Sequence, residues 1–180
     1  MIILDNILWH DCLSSTNTYA REHIQDLDNM SVVAALAQTG GRGQGEHTWE
    51  SEPGRNLLIS IVLKDVRIPA SQQTLISDAV ACSVVQLLDE YGIKAWIKPP
   101  NDVWVGEKKI CGILIEHSLL GSQIRWSIIG VGLNVNQTIF PDHLPNPTSM
   151  SLEGAETDIQ PLLVQFMEIF SSRCISSGIR

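Results

Sequence analysis

Apolar positions recur along this chain in two rhythms, and the change between them marks its elements. Around the first helical stretch, Ser15 or Thr16 offers a cap and the helix is expected to run to about Leu27. A longer helical pattern opens at Ser71 or Ser77, continues through Leu88 and should stop at Gly92. The last begins near Asp158, tolerates Pro161 in its first turn, and turns Leu162, Leu163, Phe166 and Phe170 inward. Between these, β-rich runs predict strands over Val32 to Ala37, Asn56 to Leu63, Ala95 to Ile97, Asp102 to Val105, Ile110 to His117 and Ile124 to Leu133.

Turn chemistry sets the class. Gly106 with Glu107, and Gly121 with Ser122, are two-residue links of the kind that join antiparallel strands. The expectation is therefore α+β, with a mixed or antiparallel sheet flanked by helices rather than a parallel Rossmann sheet. Residues Gln137 to Pro147 contain three prolines and no periodicity, and read as a surface loop. At 180 residues and 44% hydrophobic composition, one domain over 1–180 is the default.

Charge and cysteine usage narrow the partners. A net charge of -8 gives no basic surface for a nucleic-acid backbone. Cys12, Cys82, Cys111 and Cys174 form no CxxC pair, so neither a zinc site nor a disulfide framework is expected, and a cytoplasmic location fits. No membrane partner is expected, because the apolar run Leu57 to Leu63 is too short to span a bilayer and no basic leader pattern opens the chain.

Several segments carry chemistry. Gln38 to Gly54, QTGGRGQGEHTWESEPG, holds five glycines and Arg42 between two apolar strands. Glycines let backbone amides approach an anion, Arg42 supplies a planar fork for phosphate, and Trp49 offers a face for a purine. The alternative is a plain flexible connection. In KPPND, two prolines stiffen a turn from which Lys98 and Asn101 project, and a lysine held there can neutralise a carboxylate beside a phosphate. The alternative is a solvated turn lysine. KKICGILIE sets Lys108 and Lys109 at the mouth of a strand interrupted by Gly112, which either admits a ligand or marks a bulge in an edge strand. In IIGVGLNVN, Gly130 and Gly132 repeat the device and Asn134 presents an amide. Ser14 to Asn17 is either an ordinary helix cap or a set of polar groups for a neutral urea or a carboxylate.

In order, SSTN, QTGGRG...W, KPPND, KKICGILIE and IIGVGLNVN resemble the biotin protein ligase family over about Ile7 to Ser151. The resemblance implies a catalytic fold similar to that of class II aminoacyl-tRNA synthetases, with helices on one side of the sheet. It implies an ATP-dependent, AMP-forming ligase: biotin and Mg-ATP give biotinoyl-5'-AMP, which acylates a lysine on the biotin carboxyl carrier domain of a carboxylase such as acetyl-CoA carboxylase. By position, Ser15, Thr16, Asn17 and Gln38 look like contacts to the biotin head. Gly41, Arg42, Gly43 and Gln44 look like the loop over the adenylate, and Gly112 like part of the biotin floor. Lys98 looks like the catalytic lysine, aided by Arg42. Trp49, Asn101, Lys109 and Asn134 look like the nucleotide side.

The chain departs from the usual pattern at Gln44, where many relatives carry a second arginine, at Glu46 and His47, and at Pro99, where tryptophan is common. It is expected to be the catalytic domain without the DNA-binding domain or the SH3-like domain of some relatives. A homodimer is left open. The rivals are a lipoate or octanoate protein ligase, and a module that binds biotin without transferring it.

Overall fold

The computed structural model describes residues 6–64, 66 and 68–179. Seven strands form one sheet: β1 (Ile7–Leu13), β2 (Val32–Gln38), β3 (Leu57–Lys64), β4 (Ala95–Lys98), β5 (Asp102–Val105), β6 (Lys108–Leu120) and β7 (Gln123–Leu133). Their order is β1-β2-β3-β7-β6-β5-β4, with β1 and β2 parallel and every other pair antiparallel. The α+β class and the mixed sheet are as expected. Gly106 and Gly121 take positive φ of 55° and 62° in the two hairpin turns, a conformation that glycine adopts without a Cβ penalty.

Among the described residues, three α-helices complete the fold: α1 (Thr16–Glu22), α2 (Thr74–Glu90) and α3 (Ile159–Ser176). The α1 helix is shorter than expected, because the amides of both Asp26 and Leu27 turn back to the carbonyl of His23. Neither Ser71 nor Ser77 caps α2; a 3-10 turn over Ala70–Gln72 leads into it, and the Ser77 hydroxyl donates to the Thr74 carbonyl. Gly92 ends α2 as expected, at φ 76°, with its own amide on Asp89 and that of Ile93 on Leu88.

Alternation along the strands separates two faces. Val32, Ala34, Leu57, Ile59, Ile61, Val131 and Leu133 pack with α2 and α3, where Leu162, Leu163, Phe166 and Phe170 are buried. Val33, Val62 and Ile128 point the other way and receive Ala20 of α1. The helices therefore lie on both faces, not on one, because α1 needs only a short apolar stripe and takes it from the face that α2 and α3 leave open. Beyond α1 that second face is bare of helices, and the site forms there.

The edge strand β1 escapes sequence reading. It pairs with β2 alone, and His10, Asp11 and Cys12 interrupt any clean alternation. Strand β6, in contrast, is interior, between β5 and β7, so Gly112 does not mark a bulge in an edge strand.

Candidate functional site

Three glycines on the open face make room for the site. Gly112 of β6 lies directly opposite Gly132 of β7, and Gly130 opposite Leu114. A Cβ on Gly112 would stand 2.8 Å from the Trp49 ring, one on Gly132 only 2.5 Å from it, and one on Gly130 would collide with the Asn17 amide. Sheet side chains normally stand up from the pleat. Here they are missing, and Asn17 and Trp49 come down onto the backbone instead.

Above this floor is a cavity of about 570 Å³, within the range of roughly 300–1,000 Å³ usual for small-molecule sites. Its lining includes Ser15, Thr16, Asn17, Gln38, Arg42, Gly43 and Gln44 at one end, and Trp49, Asn101, Asp102, Lys109, Gly112 and Asn134 at the other. The sequence motifs thus converge. Gly41 stands behind the lining, where its amide neighbours tie the loop together: the Trp49 amide donates to the Gly41 carbonyl at 2.9 Å, and the Gly43 amide to that of His47 at 2.8 Å. The Gly-rich segment is accordingly a small hydrogen-bonded hairpin around an Arg42–Thr48 bridge, rather than an unstructured connection. A wider hollow of about 780 Å³, sharing Gln38, Trp49 and Phe140, lies on its other side.

One end of the cavity is a buried polar network. The carboxamide oxygen of Gln38 accepts from the backbone amide and the hydroxyl of Thr16, at 2.7 and 3.2 Å. Ser60, fully buried on β3, lies 2.8 Å from the Thr16 hydroxyl and 2.5 Å from Asn17 Oδ1, and its single hydrogen serves one of them at a time. Asn17 Nδ2 donates to Glu116 at 2.9 Å and to the Leu114 carbonyl. These bonds orient both amides and leave the Gln38 Nε2 donor beside Gly41. Ser15 caps α1, accepting from Thr18. Ser60 and Glu116 carry only faint signals in the sequence: a serine inside the apolar run LLISIVLK for the first, and a carboxylate ending an apolar strand for the second.

The other end carries charge and unmatched polar atoms. Lys109 Nζ lies 2.8 Å from Asp102 and 5.6 Å from the centre of the Trp49 ring. Asn134 is 4% exposed; its Nδ2 donates to Thr148 while its Oδ1 has no protein partner. The indole nitrogens of Trp49 and Trp104 are likewise buried and unpartnered. Orphaned buried polar atoms cost free energy, and these three around one cavity are placed to bond a ligand. Asn101 lines the cavity, but its Nδ2 is committed to the Ile113 carbonyl, so it anchors the KPPND turn to β6.

Lys98 is not in the lining. Its ammonium stands 3.5 Å over the Trp104 ring, a cation–π contact that holds it at the cavity's edge. Its strand register nonetheless puts it on the site's face, since Lys98 is opposite Asp102, Asp102 opposite Gly112, and Gly112 opposite Gly132. Arg42 turns to Glu116, at 3.0 Å. Cys111, beside Gly112 in sequence, is unsuited to attack: it packs in the core on the α2–α3 face, and burial pushes its thiol well above the usual range, so it stays protonated. Among the described residues there is no cluster of three His, Cys, Asp or Glu that could hold a metal, and no helix is long and apolar enough to cross a membrane.

Comparison with known proteins agrees with this geometry. Biotin protein ligase from Aquifex aeolicus, solved in complex with biotin and ATP, superposes with a TM-score of 0.82 at 25% identity, covering 97% of this chain and 72% of that one. The Leishmania major ligase in complex with biotinyl-5-AMP shares the fold, with a TM-score of 0.74 at 22% identity over 95% of this chain and 75% of that one. The architecture is thus that of a biotin protein ligase catalytic domain. The sequence pattern of the Biotin/lipoate A/B protein ligase family matches residues 9–134, and the chain belongs to that family. It is 38% identical over 157 residues to the Bifunctional ligase/repressor BirA of Bacillus subtilis, covering 84% of this chain and 48% of the relative. It is 32% identical to the chloroplastic Biotin--protein ligase 1 of Arabidopsis thaliana, covering 72% of this chain and 36% of that protein. The chain spans about half the length of the Bacillus relative and less of the plant one.

Proposed function

We propose that this chain activates biotin with Mg-ATP and passes the biotinoyl group to a lysine of a biotin carboxyl carrier domain. The observation that carries the reading is the cavity's division into two ends. The Thr16–Asn17–Gln38–Ser60 network offers fixed donors and acceptors to a neutral ureido ring, while Trp49, Lys109 and Asn134 offer a flat face, a cation and an unmatched acceptor to a nucleotide. The carboxylate and the α-phosphate then meet between them.

In the first step a biotin carboxylate oxygen attacks the α-phosphorus and pyrophosphate leaves. Two anions approach, so cations beside them contribute most where charge accumulates. Lys109 already faces the cavity, and Lys98 reaches it by leaving the Trp104 face. In the second step the acceptor lysine, as a free amine, attacks the acyl carbonyl and AMP departs. No protein nucleophile is required. Magnesium enters with the ATP phosphates as part of the substrate. The adenine amino group is a suitable donor for Asn134 Oδ1.

A lipoate or octanoate ligase shares the family, and the polar network argues against it: an alkyl tail would set apolar surface against the Thr16–Asn17–Gln38–Ser60 groups and offer them no hydrogen bond. The test offers radiolabelled biotin, lipoate and octanoate with ATP and a carrier domain. Labelling of the carrier by biotin alone supports the reading; labelling by either fatty acid overturns it.

A further inference from the structure

Glu116 closes the KKICGILIE segment, and nothing in the two-step reaction yet uses it. It sits on the site's face of β6, in line with Ile128 and Val62, on an otherwise apolar row. A carboxylate there is costly unless paired. Its side chain is 22% exposed and fully engaged: Oε1 accepts from Arg21 at 3.2 Å and from Arg42 at 3.0 Å, while Oε2 accepts from Asn17 Nδ2 at 2.9 Å.

These partners come from different places. Asn17 belongs to the polar network at the start of α1, Arg42 to the Gly-rich hairpin, and the two are joined through one carboxylate across 74 and 99 residues of chain. We propose that Glu116 is a positioning residue that couples the two walls of the cavity. It holds the hairpin in place through Arg42, and it fixes the direction of the Asn17 amide so that Oδ1, not Nδ2, faces Ser60. With the amide reversed, Oδ1 would face the Glu116 carboxylate and the Leu114 carbonyl, acceptor against acceptor, and both contacts would be lost. Arg21 shares the charge on Oε1 from outside the cavity. The inference rests on the biotin-ligase reading only for the identity of the ligand; the coupling itself is a property of the unliganded chain.

The test uses Glu116→Gln, Glu116→Asp, Arg42→Gln and Arg21→Gln. Amide hydrogen exchange in the protein without ligand reports on Gly43, whose amide bonds to His47 across the hairpin. In Glu116→Gln and in Arg42→Gln its exchange should rise roughly threefold to fivefold, as suits one partly exposed pair, with no further rise in the double variant. Raising salt should speed exchange in the wild type and leave Glu116→Gln unchanged, since only the wild type has the ion pair to screen. Biotin should bind Glu116→Gln roughly tenfold more weakly, through Asn17, with partial recovery in Glu116→Asp. Arg21→Gln should stay within about twofold of wild type on both measures. Unchanged Gly43 exchange in Arg42→Gln overturns the coupling even if Glu116→Gln fails to fold, as do additive effects in the double variant. If the chain binds no biotin, the ligase reading fails, and the exchange data still decide the role of Glu116.

Discussion

Gly112 and Gly132 face each other across β6 and β7, and the Trp49 ring lies on both. The pair makes a slot one ring thick on the sheet. Gly132→Ala would put a methyl group 2.5 Å from the ring and lift Trp49 toward the cavity. Overpacking of this kind costs about 1–3 kcal/mol of stability. Calorimetric titration should show ATP affinity falling about tenfold while biotin affinity changes far less, because the polar network lies at the other end. Equal losses for both ligands would detach Trp49 from the nucleotide.

Lys98 and Lys109 divide the cationic work differently. Lys109 is in the lining and Lys98 stands on Trp104. If Lys98 moves in only as the anions react, Lys98→Ala should lower kcat for adenylate formation by a factor of roughly a hundred with little change in biotin Kd. Lys109→Ala should weaken ATP binding about tenfold and leave the Asp102 carboxylate unpaired. Single-turnover kinetics separate the two. A Lys98 variant that loses binding and rate equally would contradict the movement.

Arg42→Ala should make the intermediate escape. The hairpin then loses its link to Glu116 and its contact with the adenylate phosphate. Release of biotinoyl-adenylate should quicken by about tenfold, and bystander amines should become labelled. Filter retention of the labelled intermediate measures this, and tight retention would remove the hairpin from the reaction.

His117 supplies a pH dependence of stability. Burial lowers its pKa below the ordinary 6.5, and its Nδ1 pairs with the buried hydroxyl of Ser127 at 2.8 Å. The folded state therefore binds the proton less readily than the unfolded one. Above about 6.5 neither state is protonated and the site is neutral to stability; as pH falls through 6.5 toward the lowered value, the unfolded chain takes up the proton first and stability drops. Urea unfolding between pH 7.5 and 5.0 should show this loss, and His117→Gln should flatten it. An unchanged slope in the variant would assign the effect elsewhere.

How far the sequence discloses this molecule varies from residue to residue. Phe166 and Phe170 are legible because a helical period needs no knowledge of the partner, and the turns at Gly106 and Gly121 because a two-residue link between β-rich runs has few solutions. Strand β1 is not, since it lies at the sheet edge beside β2 and its own alternation is broken at His10 and Asp11. The motif residues identify the cavity, yet the direction of Lys98 is set by Trp104 on the next strand, and Ser60 and Glu116 gain their roles only when β3 and β6 flank β7 and α1 lies over them. Pairing across strands decides those contacts, and no local pattern encodes it.

The most direct test of the account is to incubate the chain with biotin and Mg-ATP without any acceptor, and to identify by mass spectrometry what remains bound. The two-ended cavity predicts biotinoyl-5'-AMP at one per chain, with an equal amount of pyrophosphate released. Recovery of unreacted biotin and ATP, from a protein that stays folded and binds both, would contradict it.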